Sequence, residues 1–206
     1  SPPHDESAAW WFESGAKTAL KQRQEHRGDA RNLILFIGDG MSIPTLAAAR
    51  ILGGQRQGHS GEEYRLSFED FPHTALSRTY NTDFQTPDSA GTATALTSGV
   101  KTRLGMIGLG QSALFSDCAS AKGQEVLTLL ELAEIAGLAT GVVTTTRLTH
   151  ATPAATYSHS ADRNWESDAS IPEAKRAEGC RDIARQLLEF PFGDGIDVAL
   201  GGGRRH

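Results

Sequence analysis

Short apolar runs that alternate with helical patterns constrain the fold of this 206-residue chain most strongly. Residues 33–37 are continuously apolar and are closed by Gly-Asp-Gly, as in a strand that is buried on both faces. Residues 141–146 form a β-branched run after a helical pattern, and residues 196–203 follow another helical pattern and end in glycines. This alternation predicts an α/β fold with a doubly wound, mostly parallel sheet and helices on both faces.

Helical patterns account for much of the remaining sequence. Residues 41–53 carry a candidate cap at Ser42, a proline in the first turn and glycine at the end. Further helices are predicted over residues 8–25, 89–97, 123–137 and 179–190. The polar stretches 53–63 and 160–172 are interpreted as surface loops.

The balance of charge argues against two classes of partner. The chain has 20 basic and 25 acidic residues, a formal net charge of −5, which gives no general attraction to nucleic acid or to an anionic membrane surface. No apolar run reaches about 18 residues, and the N-terminal stretch lacks the basic and apolar pattern of a signal peptide. We therefore expect a soluble chain without a nucleic-acid-binding groove, from which any targeting segment has been removed.

Cys118 and Cys180 are the two cysteines of the sequence. With no Cys-x-x-Cys and no Cys/His cluster, they do not form a recognisable zinc or redox motif. From the sequence alone they could be two buried free thiols or one disulfide, and a disulfide would indicate an oxidising compartment.

Asp39 follows the first apolar run and stands between two glycines. Ligands of open α/β sheets bind beyond the carboxyl ends of the strands, so Asp39 is well placed to ligate a metal ion. A tight turn with a capping carboxylate would give the same Gly-Asp-Gly pattern.

Ser89 stands at the start of the helix predicted over residues 89–97. Unpaired backbone N–H groups and the positive end of the helix dipole collect there, so a phosphate could bind and the Ser89 hydroxyl could attack phosphorus. The alternative is an ordinary N-cap, in which Asp88 or Ser89 satisfies the first turn. The small residues that follow leave room for backbone and ligand to approach each other.

His150, Thr152 and Arg163 follow the run at residues 141–146. His150 and Thr152 could face one hard cation, directly or through its water, and Arg163 could bind phosphate oxygens. Each of these residue types also has a common structural use, as a structural histidine or a solvated surface charge.

Four blocks of sequence carry a resemblance to a known family. They are NLILFIGDGMS, TPDSAGTATALTSGVKT, VVTTTRLTHATPAATYSH with its later DRNW, and LGGGRR. In this order they resemble the N-terminal part of the alkaline phosphatases in their animal-type version, from about residue 31 to the end. The resemblance implies hydrolysis of small phosphate monoesters to alcohol and inorganic phosphate at alkaline pH. It also implies an alkaline phosphatase-like sheet that is incomplete in this chain.

The resemblance implies a catalytic role for three residues. Ser89 corresponds to the nucleophile that forms a covalent phosphoserine. Arg163 corresponds to the phosphate-binding arginine, and Asp88 to the neighbour that helps to orient that arginine.

The resemblance also implies two zinc ions and one magnesium ion. Asp39 corresponds to the carboxylate that bridges a zinc and the magnesium, and Ser89 to a zinc ligand. Thr152 corresponds to a hydroxyl ligand of the magnesium, with His150 beside that metal site. The family's other ligands lie beyond residue 206, so we expect the chain to be a fragment of an enzyme whose C-terminal part supplies them.

Further expectations about the whole protein come from the resemblance. It implies a disulfide between Cys118 and Cys180 and a homodimer. We expect residues 1–30 to form a helical arm at the dimer contact and residues 31–206 to form the N-terminal part of the catalytic domain. The protein is expected to be extracellular or periplasmic, or anchored to a surface through a C-terminal signal outside this sequence.

Other functions compete with this interpretation. A phosphodiesterase or sulfatase of the same superfamily is one, although sulfatases rely on a modified residue in a different motif. A nucleotide-binding module is another, but the sequence contains neither G-x-G-x-x-G nor G-x-x-x-x-G-K-[ST]. A folded, non-catalytic fragment that mediates association is the third.

Overall fold

A computed structural model describes residues 7–22, 30–71 and 73–204. The chain divides into two compact units, one drawn from Ser1–Gly28 with Thr79–His206 and the other formed by Asp29–Arg78. The α-helices are α1 (Ala8–Gln22), α2 (Ile43–Arg56), α3 (Ser89–Ser98), α4 (Cys118–Ala121), α5 (Leu129–Ile135), α6 (Ala151–Ala154), α7 (Glu173–Ala177) and α8 (Ile183–Leu188). The strands are β1 (Gly141–Arg147) and β2 (Val198–Gly202), and short 3-10 turns cover Ser67–Asp70 and Asp168–Ser170.

The sheet of the larger unit consists of β1 and β2, which pair in parallel. Gly141 lies opposite Val198, and the register shifts between Val143 and Arg147. Helices α5 and α8 precede the two strands in sequence, so the predicted parallel α/β arrangement is confirmed in this partial form.

Helix α3 packs closely against α6 in the core of this unit. Ala90 and Ala93 of α3 and Ala154 of α6 are buried in the same cluster. The Thr97 hydroxyl donates to the carbonyl of Ala155, just after α6, at 2.8 Å. The small residues of α3 therefore allow its backbone to approach a neighbouring helix, which larger side chains would prevent.

A second buried cluster surrounds the disulfide between Cys118 and Cys180. The structure thus has the pairing that the resemblance implied and the cysteine pattern alone left open. The cluster includes Met106, Leu109, Trp165 and Ile171, which come from loops rather than long helices. The disulfide therefore crosslinks a part of the fold that has little regular secondary structure.

The helix predicted over residues 123–137 is wrong in its first half. Thr128 caps α5 and forms a capping box with Glu131, which sets the helix start at Leu129. Before the cap, the Val126 N–H donates to the Gly108 carbonyl at 2.9 Å, so it is bonded to another segment and not to a preceding helical turn. The apolar side chain of Val126 matches a helical periodicity, but this residue is buried without being part of a helix.

The surface loop predicted at residues 160–172 is a loop, with exposed residues at 164, 168–170 and 172, but much of it is buried rather than on the surface. Ser160, Asp162, Trp165 and Ile171 are all buried. Ser160 pairs with Ile107 in an isolated antiparallel bridge. Polar residues in this stretch are buried because they bond to one another and to neighbouring loops, which composition does not reveal.

The unit Asp29–Arg78 departs from expectation at the first apolar run. Residues 33–37 form no strand, and Leu33 and Phe36 are 71% and 88% exposed. A strand requires a hydrogen-bonded neighbour, and no described strand pairs with this run. The predicted buried strand is therefore absent from this structure.

Helix α2 in the same unit continues to Arg56, past its predicted end at Gly53. A Cβ on Gly53 would lie 2.6 Å from the Tyr64 ring, and one on Gly54 would lie 2.6 Å from the Gly61 backbone. These glycines serve close packing against the following loop rather than helix termination.

Helix α1 confirms the predicted N-terminal helix as far as Gln22, while the rest of the predicted stretch, residues 23–25, lies outside the described residues. Trp10 and Trp11 lie edge to face, with ring centroids 4.6 Å apart. The Lys101 ammonium lies 5.9 Å from the centroid of the Trp11 ring. Across the described residues, every helix is too short or too polar to cross a bilayer.

Candidate active site

The N-terminus of α3 is the centre of the candidate site. Asp88 is its N-cap, and one carboxylate oxygen, Oδ1, accepts from the Gly91 N–H at 3.1 Å. Ser89 is the first helical residue and is half-buried. The sequence left the cap open between Asp88 and Ser89, and the aspartate cap places Ser89 in the first turn of the helix.

The Asp88 carboxylate accepts two hydrogen bonds on each oxygen. Oδ1 accepts from Gly91 and from Asn81 Nδ2, at 3.1 and 3.0 Å. Oδ2 accepts from the Gly105 N–H at 3.1 Å and from Arg163 Nη1 at 3.0 Å. This set exceeds what an N-cap needs, because one bond to the first turn already satisfies that role.

These contacts keep Asp88 ionised. Burial, the largest single influence, would raise the pKa of the Asp88 carboxyl, because it penalises the charged form. Hydrogen bonds from Gly91, Asn81, Arg163 and Gly105 outweigh burial and hold that pKa below its ordinary value. A carboxylate at this position is therefore a permanent counter-charge for Arg163 near neutral pH.

Arg163 is held by its backbone as well as by its side chain. Its N–H donates to the Gly105 carbonyl at 2.8 Å, while the Gly105 N–H binds Asp88, so Gly105 connects the two charged residues. Gly105 has a φ of 77°, and a Cβ there would lie 2.7 Å from the Phe115 ring. Only glycine fits this conformation without strain.

The loop that carries Arg163 is fixed on both sides. Before it, Asp162 accepts from the Ser116 hydroxyl at 2.7 Å and from the Asn164 N–H at 2.9 Å. After it, Glu166 binds Arg147 at the end of β1 through two hydrogen bonds of 2.7 and 2.6 Å. The guanidinium therefore projects from a loop that is anchored to the sheet.

His150 contacts the other end of the Arg163 guanidinium. Arg163 Nη2 lies 3.3 Å from His150 Nε2, and because arginine can only donate, Nε2 is the acceptor. His150 is also the N-cap of α6, with its Nδ1 3.5 Å from the Thr152 N–H, which is too long for a strong bond. The structure thus brings Asp88, Ser89, Arg163, His150 and Thr152 together around two helix N-termini.

A family model described as alkaline phosphatase matches residues 30–206. The chain belongs to the alkaline phosphatase family. It is 47% identical over 209 residues to the tissue-nonspecific alkaline phosphatase of Gallus gallus, an alignment that covers 100% of this chain and 40% of that protein. It is also 47% identical over 209 residues to an alkaline phosphatase of Gadus morhua, covering 100% of this chain and 43% of that protein.

The fold is similar to part of a solved alkaline phosphatase structure. The cold-active alkaline phosphatase from Shewanella sp. aligns with a TM-score of 0.57 and 29% identity, over 82% of this chain and 35% of that one. The chain therefore spans about two fifths of the length of the curated relatives it matches. These alignments agree with an incomplete alkaline phosphatase-like α/β fold.

Asp39, the remaining metal-ligand candidate, belongs to the unit Asp29–Arg78. It lies in a turn in which the Met41 N–H donates to the Gly38 carbonyl at 3.2 Å and Gly40 has a φ of 66°. Its carboxylate and the Ser89 and Thr152 hydroxyls are oxygen donors, which suit magnesium and are also used by zinc. Taken one by one, each of these oxygen donors suits a hard cation, while the His150 Nε2 lone pair already accepts from Arg163.

A second group of metal-type ligands does not form a metal site. Cys118, Glu178 and Cys180 lie within 4.8 Å of one another. The two sulfurs are joined in the disulfide, so neither is available as a thiolate ligand.

Two contributors to the candidate site were not predicted from the sequence. Asn81 lies in a turn before α3, and Gly105 follows the helix, and both reach Asp88 through space. Their local sequence carries no motif. The positive φ that Gly105 requires is a weak signal, because many glycines in this chain share it.

Proposed function

We propose that this chain supplies the nucleophile and the phosphate-binding arginine of an alkaline phosphatase, which hydrolyses small phosphate monoesters at alkaline pH. The observation that carries the proposal is the Asp88–Arg163 ion pair beside Ser89 at the N-terminus of α3. A serine at a helix start next to an oriented arginine suits attack on a phosphate group, because positive charge and N–H donors surround the nucleophile.

The chemistry consists of two displacements at phosphorus. The Ser89 oxygen forms a bond to phosphorus, the bond from phosphorus to the substrate's alcohol oxygen breaks, and the alcohol leaves with a proton. Water then attacks the phosphoserine, which releases inorganic phosphate and restores the Ser89 hydroxyl. In both steps Arg163 binds the non-reacting phosphate oxygens, while Asp88 and His150 hold its guanidinium from both ends.

We propose two zinc ions and one magnesium ion as cofactors. Asp39, Ser89 and Thr152 would contribute ligands, with His150 supporting the site through Arg163. The metals would lower the pKa of the serine hydroxyl and balance charge on the leaving oxygen. Removal of metals with a chelator is expected to abolish turnover, and added zinc and magnesium should restore it.

The ligands named in this chain are too few to hold three metal ions. We propose that these residues are part of a longer polypeptide that supplies the others, in line with the two fifths of each relative that the chain spans. The mass of the native protein under denaturing conditions tests this. A species well above 22.0 kDa is expected. A native protein of only 22.0 kDa with full activity would contradict the proposal of a longer polypeptide.

The assembly and location are also proposals. Helix α1 exposes Phe12 and Leu20, which suit a helical arm that contacts a second subunit in a homodimer. The disulfide fits an extracellular or periplasmic protein, because reducing compartments keep most cysteines as thiols.

Replacement of Ser89 tests the central claim. Ser89→Ala in the native-length protein is expected to remove p-nitrophenyl phosphate hydrolysis and the labelled phosphoserine that an acid quench traps from the wild type. Ser98→Ala is the matched control, since it removes a serine from the other end of the same helix. Retained turnover in Ser89→Ala would overturn the mechanism. A preference for a phosphodiester or a sulfate ester would instead favour the related hydrolases, and nucleotide binding without turnover would favour a binding module.

A further inference from the structure

Asn81 is a buried amide whose position is fixed by its own backbone. Its N–H donates to the Phe84 carbonyl at 2.9 Å, and its carbonyl accepts from the Phe84 N–H at 3.3 Å. The side chain is pressed against α3, since a Cβ on Gly91 would lie 2.3 Å from Asn81 Oδ1. With 3% of the residue exposed, the amide has little freedom to turn toward solvent.

The nitrogen and the oxygen of this amide differ in their hydrogen bonding. Nδ2 donates to Asp88 Oδ1 at 3.0 Å, whereas the buried Oδ1 makes no hydrogen bond within the described part of the chain. The reverse orientation would place an amide oxygen against an ionised carboxylate, so the donor must face Asp88. A buried acceptor without a partner costs free energy that an apolar side chain of similar size would avoid. The bond to Asp88 is therefore the specific contribution of the amide.

This bond limits how the Asp88 carboxylate can rotate. Asn81 and Gly91 hold Oδ1, and that leaves Oδ2 directed at Gly105 and Arg163. Without Asn81, one backbone N–H alone would hold Oδ1, and the carboxylate could turn away from the guanidinium. Arg163 would then have to be ordered each time a phosphate binds, which lowers affinity.

We propose that Asn81 is a positioning residue that acts through Asp88 to hold Arg163 in its phosphate-binding orientation. Asn81 does not touch the substrate. The inference rests on the proposed function, because it assumes that Arg163 binds phosphate.

The test compares phosphate affinity in native-length, metal-loaded protein. Asn81→Leu keeps the size of the side chain and removes its donor. We expect KM for p-nitrophenyl phosphate and the inhibition constant of inorganic phosphate to rise together by about tenfold, with kcat changed much less. Calorimetric titration with inorganic phosphate should show the same loss of affinity without turnover.

A double-mutant cycle separates positioning from a general structural effect. On an Arg163→Ala background, Asn81→Leu should cause no further loss of phosphate affinity, because the residue through which it acts is gone. Thr102→Val is the matched control, since it removes the hydroxyl of a fully buried residue close to Asn81 in the fold. The backbone carbonyl of Thr102 accepts from the N–H of Thr82, the residue after Asn81. Thr102→Val should leave phosphate affinity unchanged. If Asn81→Leu does not fold, Asn81→Ala takes its place in the cycle.

Each outcome decides a separate point. An unchanged inhibition constant in Asn81→Leu, with an active wild type, overturns the role of Asn81 and leaves the proposed function intact. An equal loss on both backgrounds also overturns it, because Asn81 would then act without Arg163. A wild type that neither binds phosphate nor turns over contradicts the proposed function itself, and this inference with it.

Discussion

His159 Nε2 lies 2.8 Å from Oε1 of Glu131, a glutamate with no exposed surface. The other ring nitrogen, Nδ1, lies 2.7 Å from the Gly108 carbonyl, so both nitrogens face acceptors. Burial, the largest influence, would lower the pKa of His159, but the contacts with Glu131 and Gly108 and the charge of Glu125 together raise it. The protonated imidazole is therefore favoured in the folded protein.

This pair makes stability depend on pH. A histidine whose pKa is raised by folding contributes stability that is fully present below its unfolded pKa of about 6.5 and is lost as pH rises through the folded value. The free energy of unfolding in urea is expected to fall over that window in the wild type and to fall less in His159→Gln. His59→Gln, at an exposed histidine, is the control for replacing a histidine by glutamine. Parallel curves for His159→Gln and wild type would show that the pair does not titrate as described.

Asp88→Asn is expected to destabilise the fold as well as the site. All four groups that face the carboxylate are donors, so the amide nitrogen of asparagine must face one of them, and Arg163 loses its counter-charge. We expect a loss of about 2 kcal/mol in the free energy of unfolding and weaker phosphate binding. Glu178→Gln breaks a more exposed pair with Lys175 and should change stability much less, because solvent screens exposed ion pairs. Equal effects of the two changes would contradict the special position of Asp88.

Loss of the disulfide should be costly. Cys118 and Cys180 are 62 positions apart, and in the chain-entropy model the crosslink contributes about 4 kcal/mol by restricting the unfolded chain. Cys118→Ala with Cys180→Ala should lower the free energy of unfolding by that order, and a reducing agent should destabilise the wild type but not the double variant. A reducing agent that destabilises both proteins equally would exclude the disulfide as its target.

Two helical glycines should respond to alanine in opposite directions. A Cβ at Gly91 in α3 would lie 2.3 Å from Asn81 Oδ1, so Gly91→Ala is expected to cost about 1–3 kcal/mol and to disturb the bond between Asn81 and Asp88. A Cβ at Gly15 in α1 would meet nothing within 4 Å, so Gly15→Ala should stabilise its helix by about 0.5–1 kcal/mol. Thermal unfolding followed by circular dichroism measures both. A neutral Gly91→Ala would contradict the tight packing of α3 against Asn81.

Features that depend on neighbours in sequence could be predicted well. The start of α3 at Ser89 was predicted, with Asp88 as one of two candidate caps, and β1 follows from a β-branched run. The parallel pairing of β1 with β2 also followed, because helices separate strands that point the same way.

Features that depend on partners in space could not be predicted. Residues 33–37 have the composition of a strand, but the described strands do not pair with them. Asn81 and Gly105 reach Asp88 from separate loops, and neither sits in a pattern that indicates such a contact. The burial of Trp165 and Asp162 likewise arises from long-range hydrogen bonds and the disulfide cluster.

The four donors on Asp88 come from separate positions along the chain, and the bond from Arg163 spans 75 residues. The bonds from Gly105 and Arg163 are long-range contacts, and we expect them to form after the local helices, because closing a longer stretch of chain costs more conformational entropy. Opening of any one of these loops removes a donor without unfolding the rest of the molecule. On heating, we therefore expect the contacts of Asp88 to be lost before the helices melt, so that the candidate site would respond to partial unfolding earlier than the secondary structure does.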